Sequence, residues 1–193
     1  MAAELKIVEE TRKPLAMHPK KFAMWLLIAS VAMLFAALTS AYLVRQAEGN
    51  WLYFELPPIL YWTTGIILLS SVVLQMGYSY AKRGQNEKLK LMLAITAVLG
   101  VVFLVGQVRA WGDLVAHSVY FVGNPSGSFL YVLTGLHGLH IVSALIYVVI
   151  VLGSAHRLKI NPENLAQMEM CITYWHFLGG LWLYLFIFLI LNQ

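Results

Sequence analysis

The chain has 193 residues, of which 60% are apolar and only 11% charged, with a formal net charge of +4. That balance places it among membrane proteins and excludes a chain that folds in water. A single cysteine, Cys171, excludes a disulfide framework and a cysteine-based metal site.

Residues 1–21 are polar and mixed in charge and read as a tail. The apolar run that follows, Phe22 to Val44, is longer than the roughly 7 to 15 residues of a signal-peptide core, although Thr39-Ser40-Ala41 resembles a weak cleavage site. Within it Ala32, Ala36 and Ser40 recur at four-residue spacing, with Ala29 adjoining, a smooth surface for close helix approach. Four further uncharged runs follow: Ile59 to Tyr80, Leu91 to Val108, Phe129 to Val151, and Cys171 to Leu191. At ~1.5 Å per residue each can cross a ~30 Å hydrocarbon core as a helix. Continuous runs of this length exclude barrel strands, which alternate and are about half as long. The expected fold is all-α: one polytopic membrane domain over 1–193, a bundle of five transmembrane helices.

The connections carry matching turn chemistry. Pro57-Pro58 opens the second helix and Asn124-Pro125-Ser126-Gly127 the fourth. Asn161 before Pro162 and Glu163 reads as an N-cap with proline at N1, so the last helix is expected to begin near Pro162. Aromatics flank the runs as an interfacial belt, with Trp51, Tyr53, Tyr61 and Trp62 at one side and Trp25 and Tyr80 at the other. No convincing internal repeat is present, which argues against a secondary transporter.

Lysine and arginine set the orientation. In a five-pass chain the tail, the second and the fourth connections share a side, and that side holds Lys6, Arg12, Lys13, Lys20, Lys21, Lys82, Arg83, Lys88, Lys90, Arg157 and Lys159. The other side holds Arg45 and Arg109. Eleven against two predicts a cytoplasmic N-terminus and an external C-terminus, and it explains the net charge without any nucleic-acid partner.

Four ionisable groups rise above this background: His137, His140, His176 and Glu169. His137 and His140 lie near the middle of the fourth run, beside a small-residue pair, Thr134 and Gly138. In the last run Glu169, His176, Gly179 and Gly180 fall on one stripe, with Glu169 at the cytoplasmic boundary and His176 about 10 Å deeper. His140, entering from the opposite side, is about 16 Å from the same boundary, so a polar packing seam joining the two helices is geometrically possible. Two readings compete. Histidines in a membrane can ligate haem or metal, or they can be interhelical hydrogen-bond partners. No histidine at matching depth completes a ligand set for His137 and His140, which favours packing and predicts no metal site and no catalytic residue here. Gln75, Gln107, Thr63, Thr64, Ser70 and Ser71 read likewise as helix-helix glue. No carboxylate lies inside any of the five runs.

These residues resemble a known family. GSFLYVLTGLHGLH from Gly127 and YWHFLGGLWLYLF from Tyr174 resemble two helices of subunit III of the haem-copper terminal oxidases, the cytochrome c and quinol oxidase group. Glu169, seven residues before His176, fits the same pattern. WLLIASVAMLFAALTSAYLV from Trp25 resembles that family's third helix and TTGIILLSS from Thr63 its fourth, so the chain is similar to the shorter, five-helix bacterial form. It departs from the pattern at Val31, Ala110 and Gly179, each standing where the family often has an acid.

The resemblance implies a noncatalytic subunit of a proton-pumping oxidase in aerobic respiration, in the bacterial plasma (inner) membrane. It implies no cofactor on this chain, with haems and copper in the partner subunits I and II, and bound phospholipids. It implies that the chain packs directly on subunit I and sustains proton uptake there. Two readings from other classes stand beside it, an accessory subunit of nitric oxide reductase and an unrelated bis-histidine haem protein.

Overall fold

A computed structural model describes residues 19–157 and 165–192. Five helices make up the described chain: α1 Pro19–Ala47, α2 Ile59–Lys82, α3 Asn86–Ala116, α4 Pro125–His156 and α5 Ala166–Leu191. All five are long and apolar enough to cross a membrane, and no strand occurs among the described residues.

Every helix overruns its apolar stretch. The third is the clearest case, since it runs Asn86–Ala116 where the uncharged stretch is Leu91 to Val108. Lys88, Lys90, Arg109 and Asp113 ride on its ends, because a helix keeps its backbone satisfied past the hydrocarbon edge and long charged side chains reach for water there. The N-cap expected at Asn161, with Pro162 at N1, lies outside the described residues, as does the tail before Pro19.

Local chemistry accounts for the connections. Pro58 precedes α2, whose first turn is closed by Leu60 N–H donating to Pro57 and Tyr61 N–H to Pro58. Asn124 caps α4 as its sequence suggests: its side chain accepts from Ser126 N–H at 3.0 Å, with Pro125 supplying the fixed φ of the first helical position. The same side chain accepts from Leu52 N–H and donates to Asn50 O, which pins the α1–α2 connection to the start of α4. Gly49 and Asn50, with φ of +85° and +52°, turn the chain out of α1, a conformation open to glycine and tolerated by asparagine.

Helices α2, α3, α4 and α5 form a closed ring in chain order, each packed on the next and α5 back on α2. Among the described residues α1 touches only α4 and α5, so it leans on the outside of this four-helix ring. Glycines permit the tightest approaches. A Cβ at Gly106 of α3 would lie 2.3 Å from Thr63 Cγ2 of α2, and one at Gly100 would lie 2.8 Å from the Trp175 ring. In lipid, where apolar burial gives helices no preference for one another, such close packing and interhelical hydrogen bonds hold the bundle. The core is aromatic at its centre: Phe35, Phe103, Trp175 and Trp182 are wholly or almost wholly buried.

Two members of the aromatic belt are not fully exposed, Trp51 and Tyr80, the latter half-buried with Lys88 Nζ over its ring. Tyr53, Tyr61, Trp62 and Trp25 are exposed as expected of anchors. Trp51 is instead half-buried, with its ring 4.6 Å from Tyr42 and 6.3 Å from Phe129, because the Asn124 tether folds its segment over the bundle end.

Candidate functional site

The buried polar groups at the bundle centre are bound mostly through α2. Trp182 and Trp175 stand seven residues apart on one face of α5, and each indole N–H donates to a hydroxyl of α2, Thr64 Oγ1 at 2.9 Å and Ser70 Oγ at 3.0 Å. Gln107 of α3 donates to Thr63 Oγ1 at 3.1 Å. On the far side of the ring Trp111 of α3 donates to Thr134 of α4 at 3.0 Å. The threonines and serines therefore act as glue, as their positions suggest, except Ser71, whose hydroxyl bonds its own helix at Ile67 O. Sequence reasoning missed the indoles as donors; the seven-residue spacing of Trp175 and Trp182, two helical turns apart on one stripe, is the signal that could have found them.

The three histidines have three different environments. His137 is fully buried and stands among rings from three other helices: Trp182 at 5.0 Å, Phe103 at 6.0 Å and Phe35 at 6.4 Å between centroids. Neither of its ring nitrogens has a hydrogen-bond partner. His140, one turn on and also against Phe35, donates from Nδ1 to Leu136 O of its own helix at 2.7 Å. His176 alone bonds across helices, from Nε2 to Gln75 Oε1 of α2 at 3.2 Å. Of the three, only His176 makes a hydrogen bond to another helix.

Glu169 sits where α1, α2 and α5 converge. It takes an ion pair from Lys21 of α1 and a hydrogen bond from Tyr78 of α2 at 3.3 Å. Both partners escaped the sequence reading, since no local pattern brings residues more than ninety apart together. No hydrogen bond joins any two of His137, His140, Glu169 and His176. The four side chains make separate contacts: Glu169 and His176 bond to α2, His137 lies among rings of α1, α3 and α5, and His140 lies against Phe35 of α1. Among the described residues no group of three or more histidine, cysteine, aspartate or glutamate side chains converges to hold a metal.

The small residues divide in the same way. Gly179 packs against α2, where a Cβ would meet Ser71 Oγ at 3.1 Å, and Gly138 admits Leu104 of α3. Gly180 is exposed and faces open space. Ala32, Ala36 and Ser40 are exposed too. α1 turns Ile28, Val31, Phe35, Thr39 and Tyr42 inward, because those larger side chains fill the groove between α4 and α5. Val31 is 4% exposed, Ala110 is 1% exposed and Gly179 is buried, so all three positions that depart from the resembled pattern face protein.

Comparison with known proteins agrees with the motifs. The family model for cytochrome c oxidase subunit III matches residues 11–192. A probable cytochrome c oxidase subunit 3 of Mycobacterium tuberculosis (strain ATCC 25618 / H37Rv) is 31% identical over 169 residues, covering 82% of this chain and 81% of the relative. A cytochrome c oxidase subunit 3 of Bacillus sp. (strain PS3) is 26% identical over 96% of this chain and 95% of its own length. A probable quinol oxidase subunit 3 of Staphylococcus saprophyticus is 24% identical over 86% and 85%.

Proposed function

This chain belongs to the cytochrome c oxidase subunit III family, and on that premise we propose that it serves as the noncatalytic subunit III of a proton-pumping haem-copper oxidase. It packs on subunit I, with subunit II in the same complex, and helps to keep proton uptake working through repeated turnovers. The observation that carries the noncatalytic reading is the use made of its intramembrane histidines. His137 is enclosed by aromatic rings, His140 bonds its own helix and His176 is paired with Gln75. The redox groups then belong to the companion subunits, and this chain supplies a rigid flank.

Its orientation in that reading is N-terminus in the bacterial cytoplasm and C-terminus outside, from the eleven-to-two distribution of lysine and arginine. Phospholipids fit beside α1. Two clefts border it, one lined by Ala37, Ala41 and Val44 of α1 with Phe129 of α4 and the Arg45 head at its rim. The other is lined by Met24 and Leu27 with Tyr147 and Tyr174, and Lys20 stands at its edge. Arg45 is paired with Glu48 at the first cleft, so the second, with apolar walls and the Lys20 ammonium at its edge, better suits an acyl chain with an anionic headgroup.

Co-purification tests the proposal. A tag on this chain, with native membranes dissolved in mild detergent, is expected to bring down subunits that carry haem and copper absorbance, while the chain stripped from them shows none. Recovery of haem with the isolated chain would overturn it, and recovery of nitric oxide reductase subunits would assign the chain to that complex instead.

A further inference from the structure

The outward faces of the bundle differ in chemistry. α3 turns Leu91, Ile95, Val98, Val101, Val105 and Val108 outward, a surface made for lipid. The face shared by α2 and α5 does not match it. There Gln75 and Ser79 of α2 are exposed, and Ser71 and His176 beside them are half-exposed, around a shallow groove whose apolar walls are Val72 and Met76. Gln75 stands seven residues before Lys82, about 10 Å of helical rise, and His176 is level with it. Acyl chains cannot hydrogen-bond polar side chains at that depth, so polar groups within the apolar stretch favour a protein partner.

The pair is only partly satisfied within the chain. His176 donates from Nε2 to Gln75 Oε1, which leaves the Gln75 amide N–H groups as donors and His176 Nδ1 as an acceptor, both on residues that line the groove. A matching group must accept and donate at once. Hydroxyls and primary amides do both, whereas an ionised carboxylate only accepts and an ammonium only donates. Gly180, one turn beyond His176, has open space where a Cβ would be, and Gly65 leaves the same kind of pit two turns from Val72 on α2. A helix backbone can therefore come close.

We propose that the α2–α5 face receives a transmembrane helix of another subunit of the complex, one bringing a serine, threonine, tyrosine, asparagine or glutamine side chain to the level of Gln75 and His176. The proposal rests on the subunit III reading, since it needs a companion in the same membrane. It identifies which surface of the chain meets that companion.

Photocrosslinking in the native complex tests it, with a photoreactive residue at the position of Met76 and, separately, at that of Val98 as the lipid-facing control. Met76 is expected to crosslink to another subunit and Val98 to lipid. A double substitution, Gln75→Leu with His176→Leu, is expected to lower retention of the chain in detergent-washed complex by about tenfold. Gln75→Asn with His176→Gln, which keeps hydrogen-bonding groups there, is expected to restore part of the retention. Crosslinking from Met76 only to lipid, or only to a second copy of this chain, overturns the proposal while leaving the subunit reading intact. Absence of any other subunit from the purified material overturns both.

Discussion

At the scale of single residues, His137 shows how a polar side chain can serve a membrane bundle by shape. Its ring fills the space between Phe35, Phe103 and Trp182 and makes no hydrogen bond. Replacing it with another flat ring keeps the packing and removes a polar group that is costly to bury. His137→Phe is therefore expected to change stability by less than about 1.5 kcal/mol, as a near-isosteric core exchange does. His137→Ala, which leaves a hole beneath Trp182, is expected to cost roughly 2 to 4 kcal/mol. Unfolding midpoints in detergent, followed by circular dichroism, compare the two; equal losses would mean that the imidazole nitrogens matter more than the ring. Thr64 poses the opposite case, because its hydroxyl accepts from the buried Trp182 indole at 2.9 Å. Thr64→Val preserves shape and strands that donor, so a loss of ~0.6 to 2 kcal/mol is expected in the same assay.

At the scale of elements, the α2–α3 pair and α1 are held by different means. The hairpin depends on backbone proximity at Gly106, where Thr63 Cγ2 occupies the space of a side chain. Gly106→Ala is expected to push the two helices apart and to cost about 1 to 3 kcal/mol as overpacking, seen as lower yield of folded chain from membranes. α1, by contrast, is fastened at intervals: Lys21 to Glu169 at one end, Thr39 to Tyr184 in between, and Tyr42 to the Asn192 carbonyl at 2.9 Å near the other. The Lys21–Glu169 pair has both side chains more than a third exposed, so it contributes at most about 1 kcal/mol. Between these fastenings Val31 occupies the inward face where a carboxyl group would otherwise enter the core. A hydrophobic carbodiimide reacts with carboxyl groups kept protonated by an apolar setting. No aspartate or glutamate lies between Phe22 and Val44, so no label is expected on that stretch. Mass spectrometry of the treated complex checks this, and a labelled site on this chain that accounts for lost pumping would give it a direct part in proton transfer.

At the scale of the whole molecule, the ring of four helices with α1 outside it gives the chain two kinds of surface. The small-residue stripe of Ala32, Ala36 and Ser40 faces away from the ring and the α2–α5 face carries exposed polar groups, so the two surfaces suited to close contact lie on different sides. Five spans place the ends of the chain on opposite sides of the membrane. A reporter fused after Gln193 that works only outside the cytoplasm is expected to be active, and activity of a cytoplasmic reporter at that position would refute either the number of spans or the orientation.

Some of this was legible without coordinates. Hydropathy over about 20 residues is a local property, so the five spans, the all-α class and the absence of barrel strands follow from the sequence alone. Asn124 before Pro125 marks its helix start for the same reason, and the motifs around His137 and His176 suffice to indicate the family. Which face of each helix meets which neighbour was not legible. In water an apolar stripe separates the buried face from the exposed one, but in lipid both faces are apolar and that signal vanishes. Val31 and Met33 are equally hydrophobic, yet one is 4% and the other 72% exposed. For that reason only the tertiary structure decided that α1 stands outside the ring, that Glu169 pairs with Lys21, that His137 is enclosed by aromatic rings, and that His176 bonds to Gln75 on an open face.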